Sequence, residues 1–204
     1  MSLRNAVDVV ALIACAVYCT IPLFWLVVHP FIARWRRYGR RSYAWILPIW
    51  GAVIATAFLI VWPYRHVHLY DSWFGWVPAA LLFALGFSIY SAGFKSFERN
   101  QVSGLAELEP DRHRQRLVTT GIRAYVRHPI YLGHLCEVFA WCFATGMVAL
   151  YLLAAFAIAT GAVMIRIEDS VLEVRFGKPY REYKSSVPAV VPRLSRRACA
   201  SSLQ

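Results

Sequence analysis

Apolar positions in this chain run in long blocks separated by short polar, mostly basic stretches, which is the pattern of membrane crossings. The first block, about residues 7–32, is long enough to cross a bilayer even with Pro22 and Pro30 inside it, and it lacks the small-residue cleavage site of a removable leader. Blocks at about 43–63 and 74–94 follow. The apolar region 129–165 is about twice as long as one crossing needs at ~1.5 Å per residue. It predicts a helical hairpin, 129–145 and 147–165, turning near Ala144-Thr145-Gly146. The predicted fold is all-α: a polytopic integral membrane bundle of about five transmembrane helices that includes a C-terminal hairpin.

Beyond the hairpin, Arg166 to Gly177 reads as the last helix continuing out of the membrane, with Val171, Leu172 and Phe176 on one face. Gly177 suits the helix end and Pro179 starts a short cytoplasmic helix, in which Tyr180, Tyr183 and Val187 recur at three and four. Val187-Pro188 breaks it. Nothing repeats at a fixed period, so residues 1–192 form a single membrane domain, with 193–204 a basic, disordered tail.

Composition agrees with this pattern. Hydrophobic residues make up 59% of the 204, charged residues 16%, and mean hydropathy is +0.47. The net charge of +11 would suit a nucleic acid, but the basic residues sit in blocks between apolar runs, as membrane topology requires. Five arginines fall within Arg34–Arg41, and 20 of the 22 Lys/Arg fall on one side of the predicted spans. The positive-inside rule then puts that side in the cytoplasm and the N-terminus outside. Four of the five cysteines lie inside predicted spans and no Cys-x-x-Cys pair occurs, so neither a disulfide framework nor a cysteine metal site is expected. His66 and His68 share an outer loop without an evident third ligand, and His29 and His134 lie near span ends with no special role.

The chemistry therefore has to come from the cytoplasmic side, around Arg127-His128-Pro129-Ile130-Tyr131-Leu132-Gly133. Pro129 pushes His128 out of helical angles and starts a helix, leaving the imidazole at a helix N-terminus, while Gly133 lets a flat ligand or another backbone come close. At the mouth of the last span stand Glu168 and Asp169, acidic groups that are costly there unless partnered. Asp169 has Arg166 at i, i+3 as a local partner; Glu168 turned toward His128 would line a pocket under the hairpin. Glu137 is the ionisable residue well inside a span, where it either faces the bundle or marks a small non-catalytic carrier.

Leu117-Val118-Thr119-Thr120-Gly121, the Arg127–Gly133 stretch, the hairpin, Glu168-Asp169, Phe176-Gly177, Tyr180, Tyr183 and Val187-Pro188 together resemble the isoprenylcysteine carboxyl methyltransferase and phospholipid methyltransferase group of membrane enzymes. The resemblance covers about residues 115–192, the catalytic half. It implies S-adenosylmethionine as cofactor, held by Gln115, Arg116, Leu117, Val118, His128, Pro129, Ile130, Tyr131 and Glu168 and closed over by the C-terminal segment. It further implies a small lipophilic or lipid-linked acceptor from the bilayer, prenylcysteine-like carboxylate or phospholipid-like amine. Glu168 and Arg166 are the expected catalytic residues, Arg166 because it lies within a turn of Glu168 at the membrane edge. Arg123 stands where the family often has an aromatic residue, and Met164 where the prenylcysteine enzymes have an arginine. A membrane sterol-type reductase using NADPH shares the Arg-His-Pro-x-Tyr-x-Gly stretch and is the competing enzyme class.

Overall fold

The computed structural model describes residues 3–95, 104–112 and 116–192, and every structural statement below concerns these. Gln115 and the tail 193–204 lie outside them. The helices are α1 (Leu3–Val28), α2 (Ile32–Arg36), α3 (Tyr43–Val61), α4 (Trp76–Lys95), α5 (Leu105–Leu108), α6 (Pro129–Thr145), α7 (Val148–Phe176) and α8 (Lys178–Ser186). Four stretches, Leu3–Val28, Gly39–Tyr64, Trp73–Lys95 and Val148–Phe176, are long and apolar enough to cross a membrane. The remaining expected span, α6, is helical over the expected residues but has only 17 of them, about 25 Å at ~1.5 Å per residue. It is therefore shorter than the ~30 Å apolar core of a bilayer.

Sequence punctuation fixes the element ends. Pro129 opens α6, where its missing N–H costs nothing, and His128 stays outside the helix at φ −117, ψ 64. Gly146 closes α6 at φ 66, a left-handed conformation in which a Cβ would also stand 2.8 Å from the Tyr70 carbonyl oxygen. The hairpin turn is thus where the sequence places it. Gly177, at φ 62, separates α7 from α8. The last helix does run on unbroken past Arg166, to Phe176.

α6 packs most extensively on α4, and α1 lies across α7, α3 and α6. The α4–α6 approach is close because Gly86 and Gly133 face each other: a Cβ on Gly86 would sit 3.2 Å from the Gly133 carbonyl oxygen. Gly133 thus admits a backbone, not a ligand. The main core joins Leu12, Cys15 and Cys19 of α1, Val138 and Cys142 of α6 and Leu150, Leu153 and Ala157 of α7. Large apolar side chains such as Leu59, Ile60, Leu81 and Phe87 point outward, 65–70% exposed, which on helices of this length is a lipid-facing surface.

The bundle has two distinct ends. At one, the 62–75 connection is tied to the hairpin turn by Leu69 N–H to Gly146 O, 2.8 Å, Val148 N–H to Val67 O, 2.9 Å, and Tyr70 O–H to Phe143 O, 2.8 Å. His68 there reaches Asp8 at 3.3 Å. At the other end, α2 and α5 meet through Arg36 Nε–H to Glu107 O, 3.0 Å, beside the 116–128 loop and α8. The basic blocks gather at this second end.

Candidate active site

The loop that carries His128 is built on the C-terminal segment. Arg127 N–H donates to Pro188 O and His128 N–H to Ala189 O, both at 2.9 Å. The Arg127 guanidinium donates to Lys184 O, 3.1 Å, and to Val187 O, while Tyr183 O–H donates to Arg123 O, 2.7 Å. Arg123 Nη1–H closes the loop on Arg127 O at 2.9 Å. The short helix α8 follows from Gly177 and Pro179, and its two tyrosines are buried on the same face, as their spacing predicts.

Under this cover lies a cavity of about 310 Å³. It falls within the usual size of a small-ligand site, ~300–1,000 Å³. Of the nine cofactor positions expected from the sequence, Arg116, Leu117, Val118, His128, Pro129, Ile130, Tyr131 and Glu168 all line it, and Gln115 is outside the described residues. Arg166 does not line it. Two residues along a helix turn a side chain about 200° away at ~3.6 residues per turn, and Arg166 is exposed on the far side from Glu168. Arg123, Arg127 and Arg175 are the other cationic side chains in the wall.

Four charged groups meet beside it, of which Arg127, His128 and Glu168 line it. His128 Nδ1 is 3.3 Å from Glu168 Oε2, and His128 Nε2 is 3.2 Å from Asp169 Oδ1. Asp169 also pairs with Arg127, Nη2 to Oδ2 2.7 Å, and accepts from Tyr180 O–H. Its partner is thus Arg127, not the local Arg166. Burial alone would push the His128 pKa down, but the two carboxylates outweigh it and raise it from 6.5 to about 9. The ring is therefore a cation at neutral pH, with both nitrogens turned to carboxylates, and it has none left for an incoming anion.

Asp169 and Glu168 differ in what they have left over. Asp169 is 6% exposed and saturated by Arg127, His128 and Tyr180, a bracing group. Glu168 keeps 24% of its side chain exposed, and its close ionic partner among the described residues is His128 alone, 3.3 Å from Oε2. A carboxylate open to a cavity in this way is suited to a cationic ligand, and Tyr131 beside it, 5.9 Å from the His128 ring, adds an aromatic face.

Sequence reasoning missed the contribution of the first helix. Ile21, Trp25 and His29 line the same cavity, as does Glu107 from α5. Their spacing of four along one helix was the available signal, but within an apolar span it carries no chemistry by itself. Met164, which is fully buried, accepts from Tyr131 O–H at 3.2 Å, and Glu137 in α6 interacts with the Tyr18 hydroxyl.

Comparison with known proteins supplies a family. The model of the family described as phospholipid methyltransferase matches residues 74–179, about half of the chain. Methanethiol S-methyltransferase 2 of Bradyrhizobium diazoefficiens is 30% identical over 157 residues, covering 74% of this chain and 52% of that protein. The chain thus spans about half the length of that relative. No solved structure matches it.

Proposed function

Because the chain belongs to the phospholipid methyltransferase family, we propose that it is a membrane methyltransferase whose cavity holds S-adenosylmethionine and whose acceptor is a small lipophilic molecule. The observation that carries this reading is Glu168, a carboxylate held on one side by His128 and otherwise open on the wall of a cavity built largely from the matched region. That donor set fits the cofactor: Glu168 and the face of Tyr131 for its cationic centres, Arg116 and the first-turn amides of α6 for its carboxylate. When bound, the cofactor supplies a methyl group on an activated sulfonium carbon.

The protein's own part is alignment and exclusion of water. His128, held between Glu168 and Asp169, fixes the direction of the Glu168 carboxylate. Tyr180 and Tyr183 of α8 cover the cavity from the aqueous side, with Arg127 tying the cover to the loop. Ile21 and Phe94 add apolar wall from α1 and α4, which suits an acceptor arriving from the bilayer. Since the cavity sits at the basic end of the bundle, the positive-inside rule faces it to the cytoplasm and the N-terminus outward.

Calorimetry on the detergent-purified chain tests the reading, with S-adenosylmethionine as ligand, NADPH as the control, and His128→Ala and Glu168→Ala beside the wild type. The expected result is binding of S-adenosylmethionine that is lost in both variants. Binding of NADPH alone would overturn the reading in favour of a reductase. No binding of either would leave a non-catalytic membrane protein.

A further inference from the structure

A second imidazole–carboxylate pair faces the cavity from the opposite half of the chain. His29 follows the last turn of α1, its N–H bonded to Trp25 O at 2.8 Å, and its ring is stacked on Trp25 with centroids 5.1 Å apart. It is 3% exposed. Its Nδ1 lies 3.1 Å from Glu107 Oε2, which leaves Nε2 as the ring nitrogen not facing that carboxylate. Glu107 is itself placed: Arg36 holds its carbonyl at 3.0 Å and Arg175 Nη1 stands 3.8 Å from Oε1. All of these except Arg36 line the cavity that Glu168 opens to, and His29 and Glu168 sense each other's charge.

We propose that His29, backed by Glu107, is the proton acceptor for the methyl acceptor, and that this acceptor is a thiol. The inference rests on the methyltransferase reading above and adds the base and the substrate class. A carboxylate acceptor has no proton to give up, so a histidine–carboxylate pair in the wall would have no task. A thiol gains negative charge as it gives up its proton, which Arg123, Arg127 and Arg175 in that wall favour, whereas an amine losing its proton gains none. In the step, the acceptor S–H bond breaks and its proton goes to His29 Nε2. The sulfur lone pair forms the new S–CH₃ bond while the methyl–sulfonium bond breaks. That bonding pair stays on the departing sulfur, which leaves as a neutral thioether. Glu107 offsets the imidazolium charge until the proton passes to water.

The groups facing His29 are Glu107 on α5 and Glu168 and Arg175 on α7. Burial lowers the ring's pKa and Arg175 acts in the same direction, but the carboxylates outweigh both and the net direction is upward.

The test compares an alkyl thiol with an aryl thiol, the latter largely ionised at neutral pH, as acceptors for the full chain in detergent with S-adenosylmethionine. Wild type, His29→Gln and Glu107→Gln are assayed across pH, each with calorimetry of cofactor binding. For His29→Gln the expected result is loss of about 100-fold in alkyl-thiol turnover at neutral pH. That deficit should narrow as pH rises, fall to less than about fivefold for the aryl thiol, and leave cofactor affinity within about threefold. Glu107→Gln should show the same pattern, attenuated. Equal loss of both thiols, an unchanged pH profile, or lost cofactor binding in both variants would overturn the proposal. Wild type that binds the cofactor but methylates neither thiol would overturn it too. Wild type that binds no cofactor would bring down the methyltransferase reading itself.

Discussion

Arg127 Nη2 and Asp169 Oδ2 lie 2.7 Å apart with side chains 8% and 6% exposed, joining the loop before α6 to the C-terminal part of α7 across 42 residues of sequence. Removing one partner of such a pair strands the other without compensation, at a cost of about 3–5 kcal/mol. Asp169→Asn is therefore expected to lower the melting temperature of the detergent-solubilised protein sharply. Arg127→Met with Asp169→Leu, which removes both charges, should recover part of the loss. If the single variant melts with the wild type, the pair is not bracing the site.

Glu168 answers differently, because it lines the cavity and has His128 alone as its close ionic partner among the described residues. Glu168→Gln should weaken S-adenosylmethionine binding by about 10- to 100-fold, the worth of a charge-assisted contact. Calorimetry and a thermal melt on the same sample separate this from unfolding. Equal loss of stability and affinity would make Glu168 a structural group like its neighbour.

The His128 pKa, raised from 6.5 to about 9 by Glu168 and Asp169 against the effect of burial, makes stability depend on pH. A group whose folded pKa exceeds its unfolded value stabilises the fold fully below the unfolded value, and that contribution is lost as pH rises through the folded one. Stability should fall between about pH 6.5 and about pH 9, by on the order of 3 kcal/mol, and the melting temperature with it. His128→Gln should flatten that segment of the profile. A wild-type melting temperature that rises over this interval would contradict the charged assignment of the ring.

Gly146 bears on the other end of the bundle. At φ 66, with Tyr70 O 2.8 Å from where a Cβ would stand, Gly146→Ala should cost about 1–2 kcal/mol for the left-handed backbone, plus the contact. The expected outcome is a lower melting temperature with cofactor affinity unchanged in the folded fraction. Unchanged stability would show that the turn can relax.

Much of the fold was written in local terms. The hairpin followed from block length and a glycine, the end of α7 from Gly177, and the Glu168–His128 meeting from two short motifs on either side of the hairpin. What local reading could not supply were partners brought from far along the chain. Arg166 is close to both acids in sequence, but helical geometry turns it to the outside; Arg127, 42 residues from Asp169, takes that place. His29 reads as a headgroup-level histidine at the end of a span, and only the packing of α1 against α7 brings it to a cavity wall beside Glu107. The length of α6 was legible from the same block pattern. Its shortness relative to a bilayer is a matter of where Pro129 and Gly146 stop the helix.

The pairing of the His128 loop with residues 183–189 has a consequence for biosynthesis. Tyr183 hydrogen-bonds Arg123 across 60 residues, and the Arg127 and His128 amides wait for Pro188 and Ala189. Because a chain emerges from the ribosome in order, every helix from α1 to α7 must be synthesised before these contacts can form. Until then the Arg127 and Asp169 charges sit at the bilayer edge without their remaining hydrogen bonds. The pocket is accordingly a late product of translation, and a nascent chain stalled short of residue 183 would expose a charged membrane intermediate of the kind that quality-control proteases recognise.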